Sequence, residues 1–354
     1  MKTDKTITNI LAILSACLLI FTCYFLFKYF NNTDCILNYS NYKISNKQIL
    51  DANEFGDYFG GIMNPLIGIT AAFITFLAFY IQYVANKQIT NQFKIQQFES
   101  QFYEMLRLHK ENVNEIQIDQ IELISNRTAS GIHSNWEKNL KNISGRDVFI
   151  YFSNELEIAY KTIFKIIKNE KESFDEAYKI FFNGLENTDK YYRQLLTVKK
   201  QHESEFIERT NKAKPIDKID DIQVITKYEL FEGHENKLGH YYRHLYHTVK
   251  FVANYDSKIV DYKNKRKYLQ LLRAQLSNYE QLMLFYNWAS GYGKEWELNK
   301  YFSDYRMIHN LYEKLFFDKD YFIKVRESIR ESNPDYLTIS DKKNDFLFEF
   351  DNKK

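Results

Sequence analysis

The sequence predicts an all-α protein: an N-terminal two-helix transmembrane hairpin followed by a soluble α-helical domain. Three observations predict it. No charged residue occurs from Tyr58 to Asn86, a run longer than the ~20 apolar residues an α-helix needs to cross a hydrocarbon core. A second uncharged run, Ile7–Phe27, precedes it between Lys5 and Lys28. Beyond residue 86 the apolar side chains recur at helical spacing, and only three prolines and eleven glycines interrupt the whole chain.

The hairpin comes first. Residues 1–86 read as a membrane anchor, with spans at about 7–27 and 62–83 and an outer loop over 28–58. Tyr58 and Phe59 stand at one end of the second span and Tyr80 and Tyr83 at the other, where amphipathic rings favour the headgroup layer. Pro65 falls in the first turn of a helix starting at Ile62, where its missing N–H costs little. A cleaved signal peptide would have a shorter apolar region and a small-residue cleavage site, so the first span is read as retained. Ala12, Ser15 and Ala16 make a small face on one helix; Gly68, Ala71, Ala72 and Thr75 make one on the other. Such faces let backbones approach closely in lipid, within the hairpin or between copies in a homo-oligomer. The outer loop carries three lysines, Lys28, Lys43 and Lys47, against Asp34, Asp51, Glu54 and Asp57, whereas the other side has Lys2, Lys5, Lys87 and Lys94. Positive-inside counting then places both termini in the cytoplasm and the loop outside.

The soluble part follows. A formal charge of +2 argues against a dedicated nucleic-acid binder. The cysteines are Cys17, Cys23 and Cys35, so the soluble part has no thiolate for zinc, disulfide or nucleophile. Residues 87–125 read as a connecting amphipathic helix, with Phe98, Phe102, Met105, Leu106, His109, Val113 and Ile116 on one face. His109 there is either a satisfied core histidine or a functional one. Residues 126–340 read as a cytoplasmic α-helical domain and 341–354 as a charged tail. Within them, Asn126–Gly145 reads as a polar loop and Asp147–Lys168 as an amphipathic helix. Ser173-Phe-Asp-Glu176 reads as a capping box. Thr188–Thr210 is a further helix, and Asn211–Asp221, with Pro215, a linker. No strand alternation persists.

Two stretches carry polar seams. On Leu238–Phe251, His240, Arg243, His244 and His247 fall at i, i+3, i+4 and i+7 and share a face. Lys263–Tyr292 is apolar nearly all round, which predicts one buried central helix. Gln270, Arg273, Ser277, Glu280 and Asn287 form a polar stripe on it. Buried charges need partners, so the two seams are expected to meet. Glu155 on Asp147–Lys168 is an alternative partner. The seams then form a structural network, a pocket, or a zinc site on His240 and His244. No H-E-x-x-H pattern accompanies that last pair, and no metal or cofactor is expected.

Five segments carry a family resemblance. They are NPLIGITAAFITFLAFYIQYVANKQ (64–88), FESQFYEMLRLHKENVNEI (98–116), GRDVFIYFSNELEIAY (145–160), LGHYYRHLYHTVKF (238–251) and LRAQLSNYEQLMLFYN (272–287). In this order they resemble the phage abortive infection proteins of the AbiC-like family of bacterial membrane proteins. The resemblance implies antiphage defence, in which an infected cell stops growing or dies before phage is released. It implies the lipid bilayer as a partner, with a phage component or co-encoded defence protein beside it. It assigns no catalytic residue, and enzymatic activity stays open. Some abortive-infection proteins are HEPN ribonucleases with an R-x(4–6)-H pattern. Arg127 and His133 fit that spacing, in a loop. Arg243 and His247 have three residues between them and depart from it. A scaffold that recruits another effector is the third alternative.

Overall fold

The computed structural model describes residues 2–32, 46–126, 137–211, 217–219, 222–228, 230–331 and 346–349. The chain divides into two compact units, Met1–Gln97 and Phe98–Lys354.

The first unit holds helix α1 (Lys2–Asn32) and the beginning of helix α2 (Asn46–Glu115). Both are long and apolar enough to cross a membrane. They meet where Thr22 Oγ1 and Thr70 Oγ1 lie 2.9 Å apart. Each hydroxyl is also 2.8 Å from the carbonyl four residues back, Leu18 and Leu66. Leu11, Ser15, Leu18 and Thr22 on α1, and Met63, Leu66, Thr70 and Leu77 on α2, are among the covered positions. Their spacing of three and four residues is that of a coiled-coil seam. Of the expected small faces, only Ser15 sits in this seam. Ala12, Ala16, Gly68, Ala71, Ala72 and Thr75 point outward. A threonine pair that can hydrogen-bond in an apolar surrounding displaces them. Helix α2 starts at Asn46 rather than Ile62, so Pro65 is interior, and the connection between the helices shrinks to 33–45. Cys35 and the charged residue Asp34 lie outside the described residues.

The second unit is predominantly helical, as the spacing predicts, with a small sheet added. Helix α2 ends at Glu115, not near 125, and strand β1 (Gln117–Asn126) follows. Strand β2 (Glu137–Ser144) occupies part of the expected loop; Arg127 and His133 lie outside the described residues. Strand β3 (Asp217–Ile219) replaces part of the expected linker, and strand β4 (Ile222–Tyr228) follows it. The sheet is antiparallel, in the order β2-β1-β4-β3, with Gln117 opposite Ser144 and Gln120 opposite Tyr228. The β-branched run Ile118, Ile121, Ile124 favours a strand once partners exist, which a helical wheel cannot reveal.

Helix α3 (Val148–Ile167) matches its expected span and buries Phe149, Phe152, Leu156, Tyr160 and Ile163. It packs on helix α4 (Glu170–Asn183). The cap of α4 is Asn169, whose side chain accepts the Glu172 N–H at 3.0 Å. Ser173, expected as that cap, is buried one turn inside. Helix α5 (Tyr192–Asn211) precedes β3, and helix α6 (Glu235–Asn254) follows the sheet.

The expected central helix over 263–292 is two helices, α7 (Tyr262–Arg273) and α8 (Asn278–Ala289). The break is chemical. Ser277 leaves the helical region, accepts the Glu280 N–H, and its own N–H is accepted by the Glu280 carboxylate, a reciprocal capping box. Every residue of α8 from Glu280 to Asn287 is buried. The predicted burial thus holds for α8, and the predicted continuity fails at Ser277. Helices α9 (Glu295–Leu298) and α10 (Lys319–Glu331) complete the unit. Residues 346–349 dock rather than trail: Leu347 and Phe348 are buried, and the Glu349 N–H donates to the His309 carbonyl at 2.9 Å.

Candidate functional site

The first seam and the end of α2 enclose a groove of about 590 Å³. Helix α6 buries Leu238, Tyr241, Tyr242, Leu245 and Val249 on its inner side. Its helical period therefore turns His240, Arg243 and His247 outward, with His244 half-buried at the edge. These four line the groove with Lys237, Tyr241, Asn112, Glu115 and Ile116. The first seam is therefore one surface, as its spacing predicts.

The second seam disperses. Arg273 donates to the Arg306 carbonyl at 3.0 Å. Ser277 and Glu280 form the cap of α8. Asn287 donates to the Tyr178 hydroxyl at 2.8 Å inside the core. The link from α6 to Glu280 is made by Tyr241, whose hydroxyl donates at 3.2 Å. The expected meeting of the histidine face with Arg273, Ser277, Glu280 and Asn287 is thus corrected. A break at Ser277 rotates Arg273 away from Glu280, and a tyrosine from the inner side of α6 takes the carboxylate. Glu155, the alternative partner, instead holds His234 at 2.8 Å and the Phe231 N–H at 2.7 Å.

Behind the groove lies a cluster that sequence reasoning did not assemble. Arg146, in a tight turn at Gly145–Asp147, reaches Glu280 at 3.5 Å and the Gln275 carbonyl at 2.6 Å. Burial raises the Glu280 carboxyl above its ordinary range, opposed by the Ser277 hydrogen bonds, Arg146 and Tyr241. Burial, then Glu280, pushes the Tyr241 hydroxyl well up. The His109 ring stacks 6.2 Å from His244 and lies 5.4 Å from Tyr241. His109, Lys110, Asn114, Gly145, Arg146 and Gln275 line a second cavity of about 480 Å³ on its far side. Nothing in the local sequence marks Arg146; His109 was legible only as a polar residue on an apolar face.

Neither ring nitrogen of His109 has a hydrogen-bond partner in the protein, nor has Nδ1 of His244. Burial lowers the His109 pKa from 6.5 to about 4, with smaller contributions from His244 and Arg146. Burial, then His247, lowers that of His244. Burying a histidine without a protein partner carries a desolvation cost. Because the folded pKa is depressed, an unfolded chain binds a proton below pH 6.5 that the folded chain refuses until about pH 4. The stability is complete above pH 6.5 and declines as pH falls toward 4, by about 3 kcal/mol in all. His109→Phe should lose that part of the acid sensitivity in urea titrations and be at least as stable at pH 7. An unchanged acid slope would refute it.

Among the described residues, no group of three or more His, Cys, Asp or Glu is arranged to hold a metal ion. No curated protein and no solved structure matches the chain. Residues 233–316 match the family model described as "Putative phage abortive infection protein". The matched segment begins at Gly233 and contains all of α6, α7, α8 and α9, hence the whole histidine face and the Glu280 cap. It is the same family that the five sequence segments resemble.

Proposed function

We propose that this chain is a membrane-anchored antiphage protein that acts by abortive infection, with α1 and the apolar part of α2 as its anchor and the α6 groove as its working site. The family match over 233–316 carries this reading. The bare apolar side chains along both N-terminal helices support the anchor: Ile10, Ile13, Ile20, Phe21, Phe76 and Phe79 are all exposed, and lipid is the solvent such a surface fits. Both termini lie in the cytoplasm of a bacterial inner membrane in this topology, on the lysine bias. The outward small residues Gly68, Ala71, Ala72 and Thr75 are the face through which copies would pack in lipid. A phage component or a co-encoded protein would supply the trigger.

A tethered ribonuclease is the second reading, favoured by one observation: Arg243 and His247 line the same groove. Its weakness is the three-residue spacing. A scaffold that recruits an effector makes no demand on the groove. Plating of a broad phage panel on cells with and without the gene separates these readings. Wild type should lower plaque counts, and His247→Ala, an exposed change, should abolish protection while the protein accumulates normally. Membrane attack would depolarise infected cells; a ribonuclease would cleave RNA with the potential intact. Equal plating across the panel would defeat the defence reading.

A further inference from the structure

We infer that the α6 groove binds a small phosphate-bearing ligand of nucleotide size. The charge arrangement is the first argument. Several surface cations elsewhere in this unit pair with carboxylates: Arg107 with Glu104 and Glu111, Lys161 with Glu157, Lys171 with Asp175, Lys199 with Glu232. In the groove, Lys237 and Arg243 stand beside the imidazoles of His240, His244 and His247, with one carboxylate, Glu115, in the lining. Arg243 spends only its Nε–H, on the Gly239 carbonyl at 3.0 Å. Its two terminal amino groups remain for a ligand, in the fork that suits phosphate oxygens.

The shape is the second argument. About 590 Å³ lies within the roughly 300–1,000 Å³ of small-molecule sites. The floor is Ile116 and the Tyr241 ring, both buried, so the donors surround an apolar base. A flat organic group with a charged end suits that combination better than a bare ion.

This deepens the proposed function by naming a ligand class, and rests on that reading for the groove's role in defence. Its own test is binding, so the two can fail separately. The full chain in detergent micelles is titrated calorimetrically with ATP, inorganic pyrophosphate, adenosine and a 12-nucleotide RNA. ATP should bind at least tenfold more tightly than adenosine, with pyrophosphate also saturable. Arg243→Ala and Lys237→Ala should each weaken ATP tenfold with unchanged melting, whereas Lys250→Ala, outside the groove, should bind as wild type. Absence of saturable heat with ATP and pyrophosphate at millimolar concentration would overturn the inference. Wild-type ATP affinity in both groove variants would do the same. RNA binding tenfold tighter than ATP would overturn the small-ligand assignment in favour of a strand.

Discussion

Replacing Glu155 with leucine should cost the helical unit about 3–5 kcal/mol, the range for stranding one member of a buried pair. Glu155 is 1% exposed. One carboxylate oxygen accepts the Phe231 N–H at 2.7 Å and the other meets His234 Nε2 at 2.8 Å. The His234 ring is wedged between Phe152 and Phe181, 4.4 and 4.9 Å away. Water cannot replace the carboxylate there, so both polar groups lose a partner in an apolar surrounding. Glu155→Gln should cost less, because its amide oxygen still accepts the Phe231 N–H. Urea unfolding followed by circular dichroism reads both variants. A loss below about 1 kcal/mol for the leucine would show that the loop finds other partners.

Gly233→Ala should be comparably severe. Gly233 has a φ of +83°, and a Cβ there would stand 2.7 Å from the Asn183 carbonyl and the Gly184 nitrogen. These are backbone atoms and cannot swing aside. The two strands of chain are tied on both sides, His234 N–H to the Phe182 carbonyl at 2.8 Å and Leu185 N–H to the Phe231 carbonyl at 3.0 Å. Left-handed strain and steric overlap together should cost at least about 3 kcal/mol. For a unit of this size that lowers the melting temperature by about 6–12 °C. A shift within about 2 °C would mean that the two segments separate easily. Glu155 and Gly233 secure the same entry to α6, so their effects should not add.

How far the sequence was legible follows from which interactions are local. Helix α3 could be read almost residue by residue, because Phe149, Phe152, Leu156, Tyr160 and Ile163 report one helical face. The burial of α8 was legible from the lack of polar surface around it. The histidine face of α6 was legible for the same reason as α3. The break between α7 and α8 was present in Ser277-Asn-Tyr-Glu280, an S-x-x-E cap signature, but those residues also fitted a polar stripe. What could not be read was pairing across the fold. Asn287 reaches Tyr178, and Arg146 reaches Glu280, over more than a hundred residues of chain. The sheet belongs to the same class. Strand β1 continues an amphipathic pattern from α2, and only β2 and β4 make it a strand.

That sheet has a kinetic consequence. Strand β1 pairs on one side with β2, its neighbour in sequence, and on the other with β4, beyond α3, α4 and α5. The hairpin can close early. The second pairing must wait for a long loop to close, and contacts of such sequence separation slow folding. During synthesis β1 therefore emerges with one edge unsatisfied, and stays so until residues 222–228 leave the ribosome. A bare strand edge is a template for intermolecular pairing. The rate at which α3, α4 and α5 are made then sets how long each nascent chain is open to aggregation with its neighbours.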